Sequence, residues 1–139
     1  MLNLPIHPMI VHFPIALYFT ALGLEAFSFF SKREIFHHSA VQLFVIATLF
    51  TPFTVGSGLW EEYRLHMHHP VLSTHKSWGI LTITTAWLAL LTLWFFYRRK
   101  STNFRYVFIF SLILMAGLVA ATAYFGGKLV YEYSAGVEL

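Results

Sequence analysis

Histidine is the residue type in this chain that is best able to do chemistry. The sequence has eight histidines against six carboxylates, and it contains no cysteine. Two stretches place a His-Pro pair ahead of a further histidine at the start of an apolar segment: PIHPMIVHFPIAL (5–17) and MHHPVLSTHKSWGIL (67–81). Imidazole binds metals, serves as an axial ligand of haem iron and carries protons near neutral pH. Without cysteine, disulfides, thiolate metal sites and c-type haem attachment are excluded.

The composition indicates that lipid is the solvent around these histidines. The 139 residues are 58% hydrophobic and only 11% charged, whereas soluble domains are about 25% charged. The net charge of +3 is small, and the basic residues do not form a patch interleaved with aromatics, so nothing indicates nucleic-acid binding. We expect one membrane domain covering residues 1–139.

Four apolar runs have the length of membrane-spanning helices. About 20 residues cross a hydrocarbon core of about 30 Å at 1.5 Å per residue. The first run lacks the basic start and the cleavage site of a signal peptide. The sequence therefore predicts an all-α, four-helix transmembrane bundle with antiparallel neighbours, its spans being roughly Met9–Ser31, His38–Trp60, Ser77–Tyr97 and Phe104–Gly127.

The positions of lysine and arginine predict the orientation of the bundle. The first and third loops carry six basic residues: Lys32, Arg33, Arg98, Arg99, Lys100 and Arg105. The N-terminus, the second loop and the C-terminus together carry three: Arg64, Lys76 and Lys128. The positive-inside rule places the first and third loops in the cytoplasm and both termini outside. Six histidines then lie on the outer side, and only His37 and His38 lie inside.

The two halves of the chain resemble each other. The first and third segments end in FFSKR (29–33) and FFYRR (95–99), and the second and fourth end in GSGLWEEY (56–63) and GGKLVYEY (126–133). With the two His-Pro starts, these echoes predict a duplicated two-helix unit, with halves at about 1–66 and 67–139. A parallel repeat of this kind has a pseudo-two-fold axis along the membrane normal.

This symmetry predicts a cofactor site. Proline suits the first position of a helix, so His12 and His75 fall in the second turns of the first and third helices, at similar depth. Ala16 and Gly79 lie one turn below them and leave room for a flat cofactor. We therefore expect His12 and His75 to be the two axial ligands of one haem b. His7 and His69 are expected at the helix caps, either supporting these ligands or acting as further ligands.

Other interpretations of the same residues stay open. Small residues in transmembrane helices commonly serve helix packing alone, and histidines near an interface can simply hydrogen-bond. The loop HMHH (66–69) offers His66 and His68 for copper or zinc. Glu25, toward the inner end of the first helix, is a functional candidate that can also pair with Lys32 or Arg33. The alternatives to haem are therefore a copper or zinc binding or transport protein and a structural accessory subunit.

The opening IHPMIVHFPIAL (6–17) and the close GGKLVY (126–131) resemble the bacterial membrane family known as domain of unknown function 2231. The resemblance implies a four-helix protein of the bacterial inner membrane; the tail EYSAGVEL (132–139) departs from the family's usual ending. The matching residues are His7, Pro8, His12, Pro14, His75, Gly126, Gly127, Leu129, Val130 and Tyr131. The architecture is similar to that of four-helix b-type cytochromes. The resemblance delivers no established activity. Because only one haem near the outer face is expected, we expect it to exchange electrons at that surface with a quinone or an outer redox protein, within a larger membrane complex or a homo-oligomer.

Overall fold

The computed structural model describes residues 6–65 and 69–133. All regular structure in these ranges is helical, and each of the four helices is long and apolar enough to cross a membrane. This confirms the predicted fold class. The helices are α1 (Ile6–Ser31), α2 (Glu34–Leu65), α3 (Pro70–Arg98) and α4 (Phe104–Tyr131).

Short turns join α1 to α2 and α3 to α4. Lys32 and Lys100 have positive φ angles of 54° and 48°, the left-handed conformation that commonly ends a helix. At the end of α3, the Lys100 N–H donates to the Tyr97 carbonyl at 3.0 Å. These tight turns make each helix pair antiparallel and put both lysine turns at the same end of the bundle.

The helices form a ring in chain order. α1 packs mainly against α2 and α3 mainly against α4, while smaller α1–α4 and α2–α3 contacts close the ring. α1 and α3 therefore lie diagonally opposite each other. Because successive helices are antiparallel, both begin at the end of the bundle that is remote from the lysine turns.

The middle of the bundle is a tightly packed core. Ala21, Ala40, Ala47 and Ala86 have no exposed surface, and such small residues let helices approach closely. Phe44 fills the space between α1 and α4, because its ring lies 5.6 Å from that of Tyr18 and 5.7 Å from that of Phe108. This core fixes the positions of the helices and therefore the positions of the histidines at both ends of the bundle.

Candidate functional site: a histidine pair across the bundle

His7 of α1 and His75 of α3 face each other at the end of the bundle where both helices begin. Their ring centroids are 6.1 Å apart, and the ring planes meet at 73°. Both side chains are partly buried. The structure thus brings His75 to the bundle axis, where the histidine facing it is His7.

Helix α2 holds the His7 ring in a defined orientation. Nδ1 lies 3.1 Å from the Thr54 carbonyl oxygen and 3.0 Å from Ser57 Oγ. The Ser57 hydroxyl donates to the Thr54 carbonyl at 2.8 Å, so its oxygen is free to accept. Both partners are acceptors, and Nδ1 must therefore carry the hydrogen. In the neutral ring this leaves the lone pair on Nε2.

Helix α4 holds His75 in the same way. Its Nδ1 lies 3.0 Å from the Thr122 carbonyl oxygen, so the neutral ring again carries its hydrogen on Nδ1. An Nδ1–H donated to a backbone carbonyl is the arrangement that orients metal-ligating histidines and leaves Nε2 to the metal. The two rings are therefore prepared alike for ligation.

Each ring also lies against a glycine. A Cβ at Gly58 would stand 3.1 Å from His7 Cε1, and a Cβ at Gly126 would stand 3.1 Å from His75 Cε1. These contacts are closer than a side chain normally allows, so the absence of a Cβ lets the rings reach the helix backbone. The two glycines thereby define seats for the imidazoles on α2 and α4.

The surroundings of His7 recur at His75 with a constant shift of 68 residues. The shift relates His7, Thr54 and Gly58 to His75, Thr122 and Gly126, and it also relates Lys32 to Lys100. In the sequence, the pattern Thr-x-x-x-Gly occurs at 54–58 and 122–126, in each case beginning 47 residues after the histidine. The repeated His-Pro pairs and the repeated aromatic helix ends are separated by other distances along the chain. Aligning the two halves on the His-Pro pairs therefore leads to His12, and not His7, as the counterpart of His75.

The expected pairing of His12 with His75 is corrected by the structure. His12 is exposed on the bundle surface, and its Nδ1 bonds to the Pro8 carbonyl of its own helix. Five residues rotate a side chain by about 140° around an α-helix, so His7 and His12 cannot both face the axis. Ala16 is likewise exposed, and a Cβ at Gly79 would meet only open space. Ala16 therefore does not line the bundle interior, whereas the role of Gly79 stays a prediction.

The remaining candidate histidines have other roles or lie outside the described residues. His69 caps α3, as expected, by accepting the Val71 N–H at 3.2 Å, and its ring lies 4.1 Å from that of Tyr133. His66 and His68 lie outside the described residues. In residues 6–65 and 69–133, no group of three or more His, Cys, Asp or Glu side chains is arranged to hold a metal ion.

Two carboxylates take up positions that the sequence does not reveal. Glu61 of α2 is nearly buried and accepts the backbone N–H of His7 at 3.0 Å, which satisfies an otherwise unpaired donor in the first turn of α1. At the other end, Glu25 is paired with His37 and Arg105, whereas the sequence suggests Lys32 or Arg33.

These features define a four-helix membrane protein with a symmetric histidine pair at one end of its bundle. The chain belongs to the family described as predicted membrane protein DUF2231, which it matches over residues 3–139. No curated protein and no solved structure matches it.

Proposed function

We propose that this protein is a membrane electron-transfer module that binds one haem b through His7 and His75. The observation that carries the proposal is the pair of rings 6.1 Å apart, each held by an Nδ1 hydrogen bond to a threonine carbonyl. Because His12 is exposed on the surface, the proposal replaces the ligand set expected from the sequence.

The number and type of donors favour haem over a bare metal ion. A haem macrocycle occupies four positions around iron, so the protein has to supply only two axial ligands. The pair offers two imidazoles, and the described residues contain no larger ligand group. His7 and His75, whose ring centroids are 6.1 Å apart, would together hold the iron.

The residues of the chain act by orienting the ligands. The carbonyls of Thr54 and Thr122 keep both rings in the tautomer with a free Nε2, and Gly58 and Gly126 set their depth. Glu61 anchors the backbone of His7. The haem, when bound, supplies one-electron chemistry.

The position of the site limits its electron exchange to one face of the membrane. The Lys32 and Lys100 turns lie at the other end of the bundle, and the excess of basic residues there favours a cytoplasmic location for that end. The histidine pair then faces the outside of a bacterial inner membrane. We expect it to exchange electrons with a quinone or an outer redox protein, within a homo-oligomer or a larger complex.

Haem content of the protein purified from haem-replete cells tests the proposal. The wild type should carry about one haem per chain, because the bundle has one such pair of axial ligands. His7→Ala and His75→Ala should lose it or bind it weakly. His12→Ala is the matched control and should retain it, because His12 lies on the surface.

Metal analysis of the same samples separates the alternatives. A colourless wild-type protein overturns the haem assignment. Copper or zinc that is lost in His7→Ala and His75→Ala would make the pair a metal site of another kind. A folded protein without any bound metal or haem would leave the structural role.

A further inference from the structure

A second cluster of ionisable side chains lies at the opposite end of the bundle from the histidine pair. Its centre is Glu25, which follows His7 by 18 residues on α1, or about 27 Å along the helix. Glu25 is only 2% exposed. An ionised carboxylate at such a position is costly unless it is paired and hydrogen-bonded, so its partners decide what it can do.

Both carboxylate oxygens of Glu25 are engaged, and by different helices. Oε2 lies 2.7 Å from Nδ1 of His37 on α2, and Oε1 lies 2.9 Å from Nε of Arg105 on α4. His37 and Arg105 are themselves 68 residues apart, the same shift that relates the two histidines of the first site. One donor from each half of the chain thus hydrogen-bonds to the same carboxylate, that of Glu25.

Arg105 is shared between two carboxylates, and this sharing sets the charge of the cluster. Its Nη1 lies 3.2 Å from Glu34 Oε1, and its Nη2 bonds to the Ser28 hydroxyl. Glu25 and Glu34 carry two negative charges against one positive charge on Arg105. With a neutral His37 the cluster has a net charge of −1, and one added proton makes it neutral.

The buried pair has connections to the aqueous side. His37 is 8% exposed, and its ring lies 5.8 Å from that of its neighbour His38, which is exposed. Arg105 links Glu25 to Glu34, whose side chain is 66% exposed. These contacts connect the cluster to exposed side chains at the lysine-turn end of the bundle.

We propose that Glu25 and His37 form a binding site for one exchangeable proton at the lysine-turn end of the bundle. In the unprotonated state Glu25 is a carboxylate, and neutral His37 donates Nδ1–H to it. A proton from water adds to Nε2 and yields an imidazolium–carboxylate pair. Transfer of the Nδ1 hydrogen to Oε2 would give the equivalent neutral pair, with the same number of protons.

The groups around this site compensate the charge of the added proton. α1 contributes Glu25 and the Ser28 hydroxyl, α2 contributes Glu34 and exposed His38, and α4 contributes Arg105. The rings of Phe104 and Phe108 cover other faces of His37. The two carboxylates compensate a positive charge on His37, whereas without Glu25 a buried imidazolium would stand near Arg105 with only Glu34 for compensation.

Nitrogen NMR of ¹⁵N-histidine-labelled full-length protein in lipid nanodiscs tests the proposal. His37→Gln assigns the His37 signals by their loss. When the pH is lowered reversibly, the His37 ring of the wild type should change from the neutral Nδ1–H form to the imidazolium or to the Nε2–H tautomer. In Glu25→Gln, the ring should show neither change. Glu62→Gln, which alters a partly exposed pair with Lys76 at the other end, should behave like the wild type.

A His37 ring that changes neither its protonation state nor its tautomer as the pH is lowered in the wild type overturns the proposal and makes the cluster a fixed link between helices. Unchanged titration in Glu25→Gln also overturns it, because the carboxylate would then take no part in proton binding. If Glu25→Gln fails to fold, the wild-type titration decides, since a link without proton exchange shows no change of state.

Discussion

His7 and His75 approach to 6.1 Å between ring centroids, although they come from the two helices that lie diagonally across the bundle. Each donates an Nδ1 hydrogen bond to a threonine carbonyl 47 residues further along the chain. The helix that follows each histidine therefore orients it, and the two helix pairs together create the site.

The tautomers of this pair are the first prediction. Because Thr54 and Thr122 offer only carbonyl acceptors to Nδ1, both neutral rings should carry their hydrogen on Nδ1. ¹⁵N NMR of the haem-free protein above the titration range of histidine should show two such rings that disappear singly in His7→Gln and His75→Gln. Nε2–H rings at these positions would contradict the geometry.

The glycine seats predict a steric effect that does not depend on any cofactor. Gly58→Ala and Gly126→Ala place a methyl group 3.1 Å from an imidazole carbon, so the ring or the helix must shift. We expect each to lower the free energy of unfolding by about 1–3 kcal/mol, as overpacking does, and to change the NMR signals of the adjacent histidine.

Gly79→Ala is the control for the two glycine seats, because its methyl group enters open space. It should leave the signals of both histidines in place. If Gly58→Ala and Gly126→Ala disturb the histidine signals no more than Gly79→Ala does, the imidazole rings do not rest on the helix backbone.

The buried hydrogen bond between Tyr18 and Thr48 predicts two unequal losses of stability. Their oxygens are 3.0 Å apart, and Thr48 also donates to the Phe44 carbonyl at 2.9 Å. Thr48→Val leaves the Tyr18 hydroxyl buried without this partner and should cost about 1–3 kcal/mol. Tyr18→Phe leaves Thr48 with a partner and should cost about 0.5–1 kcal/mol.

Equilibrium unfolding in mixed micelles measures both variants. Thr84→Val is the matched control, because exposed Thr84 bonds only to the Ile80 carbonyl of its own helix, and it should change stability by less than about 0.5 kcal/mol. The reverse order of Thr48→Val and Tyr18→Phe would mean that Tyr18 has a different partner in the membrane.

The basic lysine turns predict the orientation in the membrane. With six of the nine Lys and Arg residues in or directly beside the α1–α2 and α3–α4 turns, the chain ends and the loop between α2 and α3 should lie outside. Reporter fusions after Leu139 and within residues 64–69 should give a periplasmic signal, and a fusion within the α3–α4 turn should give a cytoplasmic one. Cytoplasmic signals from the first two would invert the bundle.

The four spans follow from the sequence because they depend on long-range composition, whereas the orientation of the bundle in the membrane stays a prediction. Runs of about 20 apolar residues and short basic loops leave one solution, four antiparallel helices. The place of His75 in the second turn of α3 is also readable, because Pro70 begins the helix. The duplication of a two-helix unit stays a prediction, although the shift of 68 residues between His7 and His75 supports it.

Whether His7 or His12 faces His75 depends on the rotation of α1 about its own axis, and the composition of the chain does not encode this rotation. If Pro8 were the first residue of α1, His12 would match His75 in depth; α1 already includes Ile6, so His7 is helical and faces the axis. The distinguishing signal is the Thr-x-x-x-Gly pattern of α2 and α4. Glu25 gives no such signal, because its partner Arg105 lies 80 residues away.

Electron paramagnetic resonance of the oxidised, purified protein tests the central claim most directly. Two axial imidazoles make ferric haem low-spin, so the wild type and His12→Ala should give a low-spin signal. His7→Ala and His75→Ala should each convert the remaining haem to the high-spin form. A protein without haem, or a low-spin signal that survives in His7→Ala and is lost in His12→Ala, would contradict the assignment of His7 and His75 as the ligand pair.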